Sequence, residues 1–472
     1  MFETDAVKTL EVVLKGNIAA RLETLPTILH TIGKEMFGMK TTSSATGNTE
    51  QGKNRRELKI EKLRLELKKV KRQYKCSLEN EKPGLAQIRN ELRSELRSLR
   101  KAEHDRNKRR RRARARAAFM KGPFNFVKTV LGNPRSGKLE SEMVDVEQSL
   151  AEAHNDIRAD AELDEIERLI SPPEPRVQFK LNDITLAEVR YIIRKARTKS
   201  APGYSGTSYK VYKKCDKLLN ILWKLLNSAW KKDKIPECWQ RAEGCFVPKE
   251  EDSRTIKQFR TISLLSVECK IFFAVLSKRL TNFMLDNQYL DTSVQKGGAP
   301  GVSGCVEHTS TLTQLIQEAC KSKGDLAVVW LDLSNAYGSI PHKVVEETLN
   351  RYHVPDKVRC IIKQYYSGFH LRFSYGRGQT KWQRLEKGII TGDTISVILF
   401  SSAMNMMVKS AENECKGPVM KSGIRQPPSF HGRLDHCNNP YHPGKMAPNR
   451  NRSNSEVGKD EVQCKEVQKY GT

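Results

Sequence analysis

Residues 328–342 read VVWLDLSNAYGSIPH. An apolar run ends on Asp332, and Tyr337, Gly338, Ser339 and Pro341 follow before what reads as a helix start. A carboxylate at the end of a buried strand is costly unless it has a task or a partner. Paired with one or two further carboxylates, Asp332 could hold two Mg²⁺ ions about 4 Å apart, activating an attacking oxygen and stabilising a leaving one in phosphoryl transfer. Taken alone, a strand-terminal Asp is more often a helix cap or an ion-pair partner.

The segments around this stretch interleave strands and helices without regular βαβ repetition, which points to an α+β architecture. Before it, LAEVRYIIRKAR (186–197) reads as a short amphipathic helix, and KSAPGYSGTSYKVYKK (199–214) as a Gly/Pro/Ser loop running into a helix that ends near Lys231. EGCFVPK (243–249) reads as a strand, LLSVECKIFFAVLSKRLTNFML (264–285) as a buried helix, and QKGGAPGVSG (295–304) as a Gly-rich loop before a helix through Ala319. After it come a helix pair (342–366), a hairpin with strands near 369–375 and 381–387, and a loop and helix from Gly388 to Ala411.

The N-terminal part is of another kind. Residues 1–40 read as amphipathic helices and 41–56 as a polar linker. From Glu57, apolar Ile60, Leu63, Leu67, Val70 and Tyr74 recur at alternating spacings of three and four. Leu85, Ile88, Leu92, Leu96 and Leu99 do so after Pro83-Gly84, so 57–122 reads as a helical hairpin. Residues 51–120 hold 25 Lys/Arg against 9 Asp/Glu. The run KRRRRARAR (108–116) is the densest part, and Arg109, Arg110, Arg111, Arg112, Arg114 and Arg116 are candidate phosphate contacts. A solvated, charged helix end is the plain alternative. Residues 123–184 read as a connector and 185–428 as the main globular region. The polar, Pro/Asn/Arg-rich tail 429–472 has the composition of a disordered segment.

Composition narrows the function. The 472 residues carry a formal net charge of +28, which favours a polyanionic partner, most simply nucleic acid. The 11 cysteines include no CxxC pair, arguing against a disulfide or zinc framework and for a reducing compartment. No signal-peptide core and no membrane-length apolar run is evident, so a nuclear or cytoplasmic location is expected, with no membrane partner.

Five stretches, in order, resemble the reverse transcriptases of non-LTR (LINE-type) retrotransposons. KSAPGYSG (199–206) resembles the family's opening loop. CFVPK (245–249) with FRTISLLSVECKIFFAVLSKRL (259–280) resembles its fingers signature, and VQKGGAPGVSGCVEHT (294–309) the loop before the palm. WLDLSNAYGSIPH (330–342) resembles motif A, and EKGIITGDTISVILF (386–400) motif B. The resemblance runs from Lys199 to Pro428. It implies a right-hand polymerase with fingers and a partial palm, an RNA template, a DNA primer and Mg²⁺. It implies that Asp332 is a catalytic metal ligand, with the carbonyl of Leu333 completing the metal site. Tyr337 would exclude a ribose 2′-OH, and Lys249 and Arg260 would clamp the triphosphate. Thr391 and Gly392 would pack against the template–nucleotide pair. Four positions depart from the family's usual residues: Thr261 for Pro, Gly338 for Asp, Thr391 for Gln and Val397 for Pro.

A polymerase palm of this kind also needs an aromatic-x-Asp-Asp turn soon after motif B. No Asp-Asp pair occurs in the sequence, and Asp435, between Leu434 and His436, is a poor substitute. The expectation is therefore a reverse transcriptase domain cut short before its second carboxylate motif and thumb, and catalytically inactive. Without the central palm hairpin, Phe400, Met404 and Met407 would have to cover apolar surface, which predicts poor stability. The competing reading is a non-enzymatic nucleic-acid-binding remnant that works through the basic hairpin; a relic without a role is a third.

Overall fold

The computed structural model describes residues 1–38, 54–79, 81–123, 126–127, 130, 136–159, 163, 171–198, 200–292, 295–298, 302, 304–323, 326–333, 335–376, 378–414 and 462–470. They fall into two units. One comprises residues 1–38, 137–249 and 253–472, the other 39–136 and 250–252. Helices and small sheets mix as the α+β reading expects.

In the larger unit, β1 (Arg241–Pro248) pairs antiparallel with β2 (Phe259–Leu264), in continuous register from Glu243↔Leu264 to Pro248↔Phe259. β3 is Leu326–Leu333 and β4 is His370–Tyr375. β4 lies parallel to β1 and folds back on β5 (Gly378–Gln379) and β6 (Gln383–Arg384), which are the broken return arm of the expected hairpin. The break has a cause. Thr380 turns its hydroxyl inward to accept from the Phe373 amide at 2.9 Å and interrupts the ladder. Gly244 is required where β1 crosses Phe373, because a Cβ there would fall 2.1 Å from that ring.

The Val267–Asp286 helix is buried on nearly every side, which explains its weak polar–apolar patterning. It packs against the Leu186–Lys195 and Ile395–Glu414 helices. The first of these starts at Thr185 in a reciprocal cap with Glu188. Glu188 also holds Arg279, whose guanidinium donates in addition to the carbonyls of Lys180, Asn182 and Asp183 at 2.7–3.1 Å. The 180–183 part of the connector is thereby laced to the core.

The Phe2–Val13 and Ile18–Phe37 helices join this unit by packing on the Asp216–Lys232 helix. Leu22, Leu25 and Leu29 are fully buried there, and Thr207 donates to the Pro26 carbonyl at 2.9 Å.

Within the tail, Val462–Tyr470 forms β7, antiparallel to β3. Composition gave no hint of this strand. Its VQCKEVQKY pattern carries Val and Cys at alternate positions at its start, and the partner strand would otherwise leave an open edge. Residues 415–461, including Asp435, lie outside the described residues.

Of the three residues expected to cover apolar surface, Phe400 and Met404 are themselves buried, whereas Met407 is 40% exposed. The cover comes from Tyr337, stacked on Phe400 with ring centroids 4.7 Å apart, and from the His342–Arg351 helix packed on the Ile395–Glu414 helix.

The smaller unit contains the helical hairpin, Arg55–Cys76 and Lys82–Lys121. Asn54 caps the first helix, with Glu57 returning the bond. Leu63 and Leu96 centre the seam. Ile88, expected in the seam, is 47% exposed, and Arg89 turns inward over the Tyr74 ring at 4.9 Å instead. The seam ends at buried Glu103, which accepts from Asn54 at 3.1 Å and Arg56 at 3.4 Å.

Candidate active site

Three segments distant in sequence meet at one place. The first is the end of β2. Its Ser263 amide donates to the Thr391 carbonyl at 3.0 Å, and the Thr391 hydroxyl donates to the Thr261 carbonyl at 2.9 Å. The second is the turn after β3, where Asn335 adopts a left-handed conformation (φ +49°) and starts the Ala336–Ser339 turn of helix. The third is the 388–393 loop. Its Gly388 amide donates to Ile340 at 2.8 Å, its Ile389 amide donates to Tyr337 at 2.6 Å, and its Gly388 carbonyl lies 2.9 Å from His342 Nε2.

Glycine is needed where these segments touch. Gly388 has φ +94°, and a Cβ on it would lie 2.8 Å from the Cα and carbonyl oxygen of Gly338. Gly392 has φ +107°, and its Cβ would lie 2.6 Å from the Ser263 carbonyl. Gly338 stands where the family often has Asp, and a Cβ there would fall 2.1 Å from Asn335 Nδ2. That departure goes with the left-handed Asn335 turn. Thr391, in place of Gln, uses its shorter side chain to tie the loop to β2.

The residues singled out from the sequence are only partly brought together. Tyr337, Thr391 and Gly392 share this junction, and Tyr337 is buried against Phe400. Arg260 sits on β2 opposite Val247, three residues or about 10 Å along the strand from Ser263. Lys249 follows β1 and donates to the Lys257 carbonyl at 2.6 Å. Asp332 and Leu333 are the last two residues of β3; only the backbone position of Asp332 is described. The six arginines of 109–116 lie on the Lys82–Lys121 helix, in the other unit.

Asp393 was not singled out. It is buried directly behind Gly392, accepts from the Tyr365 hydroxyl at 2.9 Å and from the Thr394 amide at 2.6 Å, and fixes the loop from inside. Burial pushes its carboxyl up to about 6, although the Tyr365 bond pulls the other way. The signal was present: an Asp just before a helix start is a cap candidate.

Metal chemistry is tested by the donor set. The β3–β7 register places Gln463 opposite Asp332, with Cys464 and Val462 opposite the neighbouring Leu331 and Leu333. Among the described residues no three His, Cys, Asp or Glu side chains are grouped to hold an ion.

Comparison with known proteins names the class. Residues 247–425 match the family described as "Reverse transcriptase (RNA-dependent DNA polymerase)", so this part of the chain is similar to a reverse transcriptase domain. The relatives are proteins of transposons, the R2 ones being of retrotransposable elements, in keeping with the resemblance of the motifs. The chain is 25% identical over 223 residues to the "Retrovirus-related Pol polyprotein from type-1 retrotransposable element R2" of Nasonia vitripennis, covering 47% of this chain and 21% of that protein. It is 23% identical over 221 residues to the type-2 element R2DM polyprotein of Drosophila melanogaster, covering 47% and 20%. It is 25% identical over 239 residues to the "Transposon TX1 uncharacterized 149 kDa protein" of Xenopus laevis, covering 50% and 18%. The matches thus span about a fifth of the relatives' length. No helix of the described residues is long and apolar enough to cross a membrane.

Proposed function

We propose that the domain binds an RNA template, a DNA primer and a nucleotide as a reverse transcriptase does, but does not join nucleotides in this chain. The observation that carries this reading is the junction of β2, the turn after β3 and the 388–393 loop, where two close backbone approaches build a rigid floor. On this reading Thr391 and Gly392 support the template–nucleotide pair, and the Tyr337 ring, held flat by Phe400, limits space at the sugar. Lys249 and Arg260 supply cations for the phosphates, because charge on phosphate oxygens needs fixed cations nearby. Asp332, with the Leu333 carbonyl, is one part of a metal site. Reverse transcriptases use a divalent metal ion, and the absence of an Asp-Asp pair after motif B in the sequence supports loss of the chemical step.

Primer extension on poly(rA)/oligo(dT) with Mg²⁺ or Mn²⁺ tests this. The expected result is retention of the primer–template without incorporation. Incorporation that disappears in Asp332→Ala would overturn the inactivity.

A second reading concerns the basic hairpin. The exposed arginines between 109 and 116 support contact with nucleic acid independent of the polymerase site. The same run suits nuclear import. Replacing the six arginines by Gln should weaken RNA binding and flatten its salt dependence. Unchanged binding would remove this role.

A further inference from the structure

The two helices of the hairpin are unequal. Arg55–Cys76 has 22 residues and Lys82–Lys121 has 40. The N-terminus of the shorter helix is anchored at Glu103, through Asn54 and Arg56. Residues 104–121 therefore run on past its end, a single helix about 27 Å long. All six arginines of 109–116 are exposed along it.

Residues 104–121 hold nine Lys/Arg and one acid, Asp105. At about 100° per residue, Arg109, Arg110, Arg111, Arg112, Arg114 and Arg116 surround the axis and leave no arc wider than about 100° free. Like charges four apart, such as Arg110 with Arg114 and Arg112 with Arg116, repel along the helix. The intervening residues of that run, Ala113 and Ala115, favour helix and add no bulk.

Charge on all sides of a slender helix calls for phosphates on more than one side. A lipid surface offers them on one side and needs an apolar face, which this run lacks. A single strand calls for stacking aromatics, and 104–121 holds Phe119 alone among Phe, Tyr and Trp, near its end. The A-form major groove is deep and too narrow for side chains to read. The B-form major groove is about 12 Å wide, admits a helix and has a phosphate row on each wall. We propose that residues 104–121 form a probe that enters the major groove of duplex DNA and contacts the phosphates of both walls. This rests on the nucleic-acid reading of the hairpin and goes further by naming duplex form and groove.

The test uses the full chain, titrated with a B-form DNA duplex, an RNA duplex of the same sequence and a single strand, at several salt concentrations. DNA duplex should bind at least tenfold more tightly than either other probe. Methyl green, which occupies the major groove, should compete, and a minor-groove ligand should not. Replacing all six arginines by Gln should lower the slope of log K against log salt by about 5. Ala113→Pro keeps every charge but breaks the helix; it should abolish the preference for DNA duplex while most of the salt slope remains. Equal or tighter binding of RNA duplex, or a preference untouched by Ala113→Pro, would overturn the groove assignment alone. No binding to any probe, or an unchanged slope in the arginine variant, would overturn the nucleic-acid reading of the hairpin as well.

Discussion

Gly388 rests on the backbone of Gly338, so close that a methyl group on it would lie 2.8 Å from the Gly338 Cα and carbonyl oxygen. The contact joins the turn that follows Asp332 to the loop that carries Thr391 and Gly392. Gly388→Ala meets both a clash and an unfavourable φ, and should destabilise the protein by about 2–3 kcal/mol. Gly376, with φ +58° and nothing near its would-be Cβ, is the control: Gly376→Ala should cost only about 1 kcal/mol. Denaturant unfolding of the two variants side by side measures the difference, and equal midpoints would contradict the close approach.

The Tyr337–Phe400 stack makes a second prediction. Phe400 is 1% exposed and lies parallel to Tyr337 within 15°. Phe400→Ala should cost about 3–5 kcal/mol through lost contact and the cavity left behind, and Phe400→Leu much less. A loss under about 1 kcal/mol for the alanine variant, read by thermal unfolding, would show that the ring does not support the fold.

Buried Arg279 pairs with half-buried Glu188 and gives its other N–H groups to backbone carbonyls, while Glu188 also accepts from Thr185. Arg279→Met takes the donor from the carbonyls of Lys180, Asn182 and Asp183 and leaves Glu188 with Thr185 and Lys180, and should destabilise by about 2–3 kcal/mol. Burial alone would raise the Glu188 carboxyl, but Arg279 and the Thr185 cap hold it down to about 2. A depressed carboxylate contributes stability above its unfolded value near 4.5 that disappears as pH falls towards 2. Glu188→Gln should remove that acid-side loss from a stability–pH profile, and a profile of unchanged shape would sink the assignment.

Glu268 and Asp393 have the opposite sign. Burial raises Glu268 to about 7, despite the Tyr212 hydroxyl at 2.6 Å, and Asp393 to about 6. The folded state therefore holds protons that the unfolded chain releases, so stability should fall as pH rises from about 4 to 7. In Glu268→Gln with Asp393→Asn that slope should flatten. A wild-type curve already flat over this range would show that neither carboxyl is held in its neutral form.

Periodicity made the long elements legible. The alternating spacing of three and four found the hairpin, and the amphipathic pattern of 186–197 found the helix that starts there. Other features could not be read from one segment at a time. β1 lies beside β4, which comes more than a hundred residues later, and no local pattern declares that partner. Ile88 fits the apolar seam by count, yet Arg89 takes its place because a guanidinium can cover the Tyr74 ring while its tip reaches water. At the site, the motif residues located the 388–393 loop. Asp393 passed unnoticed because its importance comes from Tyr365, a residue of another helix. β7 was hidden by the polar composition around it.

The docking of the N-terminal helices sets an order of events during synthesis. Leu22, Leu25 and Leu29 leave the ribosome early, but Leu222, Leu225 and Leu226 of their partner helix follow about 200 residues later. At about 5–20 residues per second, the apolar face waits about 10–40 s for its cover. During that interval the nascent chain offers a chaperone an exposed leucine stripe beside a growing cationic helix, and the folded protein no longer displays that stripe.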